Sequence, residues 1–188
     1  WGRNDQRQLG GDAASTFSPR QVNADFQGWV AAGANHNCSG NMMSMSCWGS
    51  NLLGQSGQAP VGQNNVQVNT PMVIRYELRE VGFPIVDIPY QIAANTQSTC
   101  FIGGNRAIHC FGQNQGRVID PTQPTEFQVQ DTLHRGPEVG NALRLTMSDQ
   151  IACAVDDAQS ILCWGDGFIN NAGGGGGSGG IRTYPTEQ

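Results

Sequence analysis

Six cysteines and three histidines are the residues of this chain with the most chemistry to offer, and their spacing decides which kind. The cysteines fall in three pairs, Cys38/Cys47, Cys100/Cys110 and Cys153/Cys163, with separations of 9, 10 and 10. Thiols placed like this are zinc ligands, reduced core residues or disulfides. Zinc asks for short CxxC-like spacings converging on one tetrahedral site, and the chain has none. Reduced cysteines would serve as small hydrophobes, a role that leaves the placement of one pair in every repeat unexplained. Many connectivities exist on paper; the repeated spacing selects the one in which each pair closes its own hairpin. Paired cysteines mark oxidising compartments, so an extracellular or cell-surface location is expected, with the periplasm an alternative.

The remaining chemistry reads as absent. His36, His109 and His134 stand far apart in different contexts, whereas a catalytic histidine must reach a nucleophile or an acid. No Gly-x-Ser-x-Gly elbow or His-Glu-x-x-His motif occurs. Asp156-Asp157 and Asp166 lack the alternating ligands of a calcium loop and read as turn formers. The chain contains no lysine, which removes Schiff-base chemistry and the phosphate-loop lysine, so the glycine run at 173–177 is no phosphate cradle. It reads as an expanded natural loop rather than an engineered linker. Asn37-Cys38-Ser39 has the form of a glycosylation sequon, but a disulfide inside a strand would keep it from use. No catalytic residue, metal ligand or cofactor is expected, and the chain is not expected to be an enzyme.

Charge narrows the partners. Ten arginines face fifteen acidic residues, a net charge of −5, and no basic run is present. Nucleic acid, which selects basic faces, is disfavoured. No apolar run approaches the roughly 18 residues of a membrane span.

Behind the cysteines lies a motif stated four times: Trp1-Gly2-Arg3-Asn4, Cys47-Trp48-Gly49-Ser50-Asn51, Cys110-Phe111-Gly112-Gln113-Asn114 and Cys163-Trp164-Gly165-Asp166-Gly167. Its aromatic residues lie 47, 63 and 53 positions apart, a period that points to a propeller, solenoid or array. The repeats run approximately 1–47, 48–110 and 111–163, with a partial one at 164–188, as one repeat domain. The chain starts on Trp1 inside a motif, as a segment of a longer chain or a processed product would.

The elements between the motifs read as strands. Trp29 to Ala32 form a short buried strand, Ser39-Gly40-Asn41 a turn, and Met43, Met45 and Cys47 alternate with Ser44, Ser46 and Trp48 on a second strand. Met43 and Met45 read as core packing rather than as an adaptable binding surface. "MVIRYEL" and "FPIVDIPYQIAA" are β-rich, with Pro84 and Pro89 marking edges or strand starts. "STCFI" and "RAIHCFG" make a hairpin about the turn 103–105. "IACAV" and "QSILCWG" make another about Asp156-Asp157.

"HNC…CWGSNLLGQSG" and "WGRNDQRQLGGD" resemble the regulator of chromosome condensation (RCC1-like) repeat. Ala31, Ala32, Gly33 and His36 match its first strand. Trp48, Gly49, Asn51, Gly54, Gln55 and Gly57 match its second strand and turn, as do Trp1, Gly2, Asn4, Gln8, Leu9 and Gly10. Phe111, Gly112 and Asn114, then Trp164 and Gly165, repeat it. The departures are Asn95 and Ser98, then Ser148 and Ile151, in place of Gly and His, and Gly167 in place of Asn. The cysteine pairs resemble the secreted bacterial branch of the family. The resemblance implies an all-β β-propeller with blades of four antiparallel strands, here about three to four blades of a longer, typically seven-bladed ring. In such a ring the aromatic packs between blades, and the asparagine ties its tight turn through its own backbone. The function it implies is a non-enzymatic scaffold for protein interaction or self-assembly through the exit loops 5–17, 52–69, 115–123 and 166–183. A carbohydrate-binding module using Trp29 or Tyr184 is the alternative. A guanine-nucleotide exchange role follows behind, opposed by the cysteine pairs, the missing lysine and the acidic charge.

Overall fold

The computed structural model describes residues 1–11, 15–19, 21–22, 28–40, 45–57, 67–74, 77–80, 83–86, 90–166 and 182–184. The architecture is all-β. The first sheet holds β1 (Trp29–Ala32), β2 (His36–Gly40), β3 (Met45–Ser50) and β4 (Gln67–Ile74), in that order. A two-stranded ribbon follows, β5 (Glu77–Glu80) with β6 (Phe83–Val86). The second sheet holds β7 (Gln91–Ala94), β8 (Ser98–Ile102), β9 (Ile108–Gln113) and β10 (Gln128–Arg135). The third holds β11 (Ala142–Met147), β12 (Ala152–Asp156), β13 (Ile161–Trp164) and β14 (Arg182–Tyr184). Every pairing is antiparallel. A single 3-10 turn, Gln115–Arg117, follows β9.

Each sheet is one blade, and in the first two blades the central strands are buried on both faces. In the second blade Cys100, Ile102, Ile108 and Cys110 face the third, meeting Ala142, Leu145, Ala152 and Trp164. Phe101 and Phe111, the intervening residues, face the first blade and meet Ala31, Cys38, Met45 and Cys47. A small sheet has two apolar faces and cannot cover both alone, so blades stack. The cysteines of one blade therefore lie against the aromatic residues of the next. Directly opposed register pairs, Cys38↔Cys47, Cys100↔Cys110 and Cys153↔Cys163, form three disulfides.

Stacking also explains where the strand reading departs from the structure. The hairpin expected across 29–48 is two hairpins, because His36–Gly40 is a strand of its own and Ser39-Gly40 belongs to it rather than to a turn. Trp29–Ala32 is not a buried strand: only Ala31 is buried, and Val30 is 73% exposed. The alternation expected on β3 is missing, since all six residues are buried between neighbours. Asp156 ends β12 and opens the expected turn, its carbonyl accepting the Gln159 N–H and its Oδ1 the Ser160 N–H. Pro84 sits on the two-stranded ribbon, where no central ladder position exists. Met43, Pro89 and the 173–177 run lie outside the described residues.

The motif glycines have a backbone reason. Gly2, Gly49, Gly112 and Gly165 adopt φ of 119°, 103°, 108° and 116°. The first three each pair with the start of the following strand, at Thr16, Val68 and Val129. A Cβ on Gly112 would sit 2.4 Å from the Gln97 carbonyl oxygen, while one on Gly140, also at positive φ, would meet nothing nearer than 3.9 Å. Gly112→Ala is therefore expected to lose about 3 kcal/mol or more of stability, from left-handed strain plus the backbone clash, and Gly140→Ala only about 1 kcal/mol. Denaturant midpoints of the two variants check this; equal losses would show that the close approach carries no cost.

Candidate functional site

The strands run so that each blade has two ends. At one end lie the turn between the first and second strands and the exit loop after the third. At the other lie the turn between the second and third strands and the connection to the next blade.

At the exit-loop end the motif asparagine is a hub. The Asn4 Oδ1 accepts the Leu9 N–H at 2.7 Å, Asn51 Oδ1 the Ser56 N–H at 2.9 Å, and Asn114 Oδ1 the Ile119 N–H at 2.8 Å. Asn114 also donates through Nδ2 to the carbonyls of Asp120, Gln123 and Pro124. The asparagine thus ties a tight turn through its own backbone, as expected, its carbonyl accepting the N–H three residues on at Arg7, Gly54 and Arg117, while its side chain reaches the fifth residue ahead and shapes the exit loop. Three residues past each asparagine the backbone enters positive φ, at Arg7 (61°), Gly54 (80°) and Arg117 (56°).

That loop aims one carbonyl, four residues past the asparagine, at the next blade. Trp48 Nε1 donates to the Gln8 carbonyl at 2.9 Å, joined by Asn37 Nδ2 at 2.7 Å. Trp164 Nε1 donates to the Val118 carbonyl at 2.8 Å. Phe111 has no N–H to offer. Its cross-strand partner Thr99 donates instead, through Oγ1, to the Gln55 carbonyl at 2.9 Å. Trp48, Phe111 and Trp164 are buried, whereas Trp1 is 74% exposed. Gly167, which replaces the asparagine, lies outside the described residues.

The three histidines are held apart. His36 is fully buried, with Nε2 at 2.7 Å from Thr99 Oγ1. Because that hydroxyl gives its proton to Gln55, His36 must be the donor, which fixes the Nε2–H tautomer. Burial depresses its pKa to about 4. His109 stacks on Phe101 at 5.5 Å. His134 bonds Asp120 Oδ2 at 2.8 Å and meets Phe127 edge-on. Among the described residues no three His, Cys, Asp or Glu side chains gather as a metal-binding group. Among the described residues no helix is long and apolar enough to cross a membrane.

The opposite end carries a group of residues that the repeat motif does not mark. Trp29, at the start of β1, lies 5.7 Å from the Tyr90 ring, and Arg106 places its Cζ 4.3 Å from the centroid of the same ring. Arg106 sits in the β8–β9 turn at φ 64°, and its carbonyl accepts the Ala142 N–H at 3.0 Å, which locks the turn to the third blade. Beside it opens a cavity of about 250 Å³ lined by Asn105, Ile108, Arg135, Glu138, Val139 and Asn141, among others. Residues from all three blades thus meet at one surface. The sequence offered only a faint signal of it, an aromatic at a strand start and an arginine closing a Gly-Gly-Asn turn.

Solved structures with this arrangement are RCC1-like propellers. Prp20p of Saccharomyces cerevisiae matches with a TM-score of 0.70 at 19% identity over 88% of this chain and 40% of its own. Yeast RCC1 (Prp20) bound to Kap60 matches with a TM-score of 0.68 at 18% identity, over 88% and 38%. Human WBSCR16 matches with a TM-score of 0.68 at 13% identity, over 86% and 40%. No protein-family model matches the chain, and no curated protein does. The chain has an RCC1-like propeller fold and spans about 40% of the length of these relatives.

Two measurements test the joints. Trp164→Phe keeps the ring but leaves the Val118 carbonyl without its donor, and is expected to cost about 1–3 kcal/mol; an unchanged melting temperature would dismiss the indole bond. His36 stays neutral in the folded chain down to about pH 4 while the unfolded chain takes up a proton near 6.5. Stability is then full above pH 6.5 and falls by up to about 3 kcal/mol as pH drops toward 4. His36→Gln is expected to flatten that slope, read from urea midpoints at pH 7 and pH 5.

Proposed function

We propose that residues 1–188 are one repeat domain, an arc of a longer propeller, acting as a non-enzymatic protein-binding scaffold outside the cell or on its surface. The observation that carries this reading is the cross-strand disulfide in each of the three blades. Such bonds persist in oxidising compartments and are rare where thiol reductants prevail. Together with two-sided burial they make a rigid frame, and loops or turns on rigid frames are where binding resides.

The relatives support a binding role without naming the partner. Prp20p binds Gsp1p and histones, and yeast RCC1 binds Kap60. An intracellular guanine-nucleotide exchange role is another reading, and the disulfides weigh against it. The described parts of the exit loops, 5–11, 52–57 and 115–123, hold blades together, leaving 58–66 and 167–181 as their variable portions. The turn end, with Trp29, Tyr90 and Arg106, is the other surface available for contact.

Alkylation of freshly isolated, denatured protein without reductant is expected to label no cysteine, and six after reduction. Labelling of all six before reduction would end the extracellular assignment.

A further inference from the structure

We propose that the strip Trp29–Tyr90–Arg106 and the cavity beside it form a groove that docks an extended segment of a partner protein. A carboxylate side chain of the segment meets Arg106, and an apolar neighbour enters the cavity. The proposal rests on the scaffold reading and gives it a surface and a partner chemistry.

The composition is that of a binding hot spot, which concentrates Trp, Tyr and Arg around a desolvated pocket. Stacking on Tyr90 holds the guanidinium flat and excludes water from one side. Its Nη1 is buried and has no hydrogen-bond partner among the described residues. Arg106 as a whole is only partly buried, and it is through its remaining N–H groups that a carboxylate can meet the guanidinium with charge-assisted bonds. The nearby acids are directed elsewhere. Glu138 lies 3.9 Å from Arg135 and is 85% exposed, and Asp157 accepts the Asn141 amide at 2.6 Å. Arg106 is thus a local positive centre on a chain of net charge −5, and an acidic segment complements it.

The cavity decides the size of what enters. At about 250 Å³ it falls below the range of roughly 300–1,000 Å³ that holds drug-sized ligands, and it suits one side chain. Its lining is mixed: Ile108, Pro137 and Val139 offer a small apolar area, and Asn105, Arg135, Glu138 and Asn141 make the larger part polar, so the entering side chain is a short one. The turn presenting Arg106 is tied by backbone to the third blade, and Tyr90 by its N–H to the Ile102 carbonyl at 2.6 Å. The groove is therefore preformed, which lowers the ordering cost of binding.

The test is an array of random short peptides, probed beside a glycan array with the intact protein and with Arg106→Gln and Trp29→Ala. Trp29 is a partly exposed edge residue, so its variant keeps the test alive should Arg106→Gln unfold. The expected result is a set of binders sharing an Asp or Glu next to an aliphatic residue. They should weaken about tenfold or more in each folded variant and with rising salt. Binders without an acid, or binders indifferent to both variants, overturn the groove and leave a scaffold that uses another surface. Binding only to neutral glycans overturns both the groove and the scaffold reading.

Discussion

The backbone carbonyl four residues past each motif asparagine is the constraint on which the rest of the structure depends. A propeller blade meets its neighbour mainly through apolar faces, which are non-directional and would tolerate sliding. The carbonyls of Gln8, Gln55 and Val118 remove that freedom, because each must find a donor in the next blade or remain unsatisfied in a buried place. The asparagine hub holds the carbonyl out, and the indole or hydroxyl on the next blade takes it. Register between blades is set by a polar bond, and the energy of stacking by apolar area.

The comparison of repeats identifies which part of this device is fixed. Tryptophan supplies the donor at positions 48 and 164, and threonine supplies it where Phe111 stands. The donor changes residue, strand and functional group, yet the acceptor keeps its place relative to the hub. Thr99 then serves a second purpose. By giving its proton to Gln55 it can only accept from His36, so one blade's histidine, the next blade's threonine and the first blade's loop form one chain of bonds. Their burial keeps the imidazole neutral. The disulfides share this logic: each joins opposed residues on the two central strands, and in the first two blades it lies against the neighbour's aromatic residues.

Much of this was legible in the residues. Repetition of the aromatic-glycine-asparagine motif announces blades, and the constant cysteine spacing announces opposed pairs. What escaped has physical causes. A strand buried on both faces loses the period of two that identifies it, so His36–Gly40 passed for part of a turn, while Trp29–Ala32, apolar at all four positions, reads as a buried strand although only Ala31 is covered. The tight turn after each asparagine could be read, but the side-chain bond to the fifth residue could not, because it depends on left-handed residues such as Arg7 and Arg117 that carry no glycine signal. Arg106 is likewise a left-handed arginine in a turn, and nothing in its neighbours reveals that Tyr90 lies beneath it.

The two ends of the blades consequently do different work. At the exit-loop end, the described loop residues spend their hydrogen bonds on one another and on the next blade. A change there is felt as a change in stability. The turn end carries little of that duty: Arg106 and Ala142 share one backbone bond, and the side chains of Trp29, Tyr90 and Arg106 stack on one another at the surface. A stacked Trp-Tyr-Arg group contributes modestly to holding blades together, since a partly exposed cation–π contact is worth about 1 kcal/mol. Its placement across the mouth of three blades gains most of its worth when a partner removes the remaining water. The regular motif therefore marks where the protein is joined, and the irregular residues at the far end mark where it has room to bind.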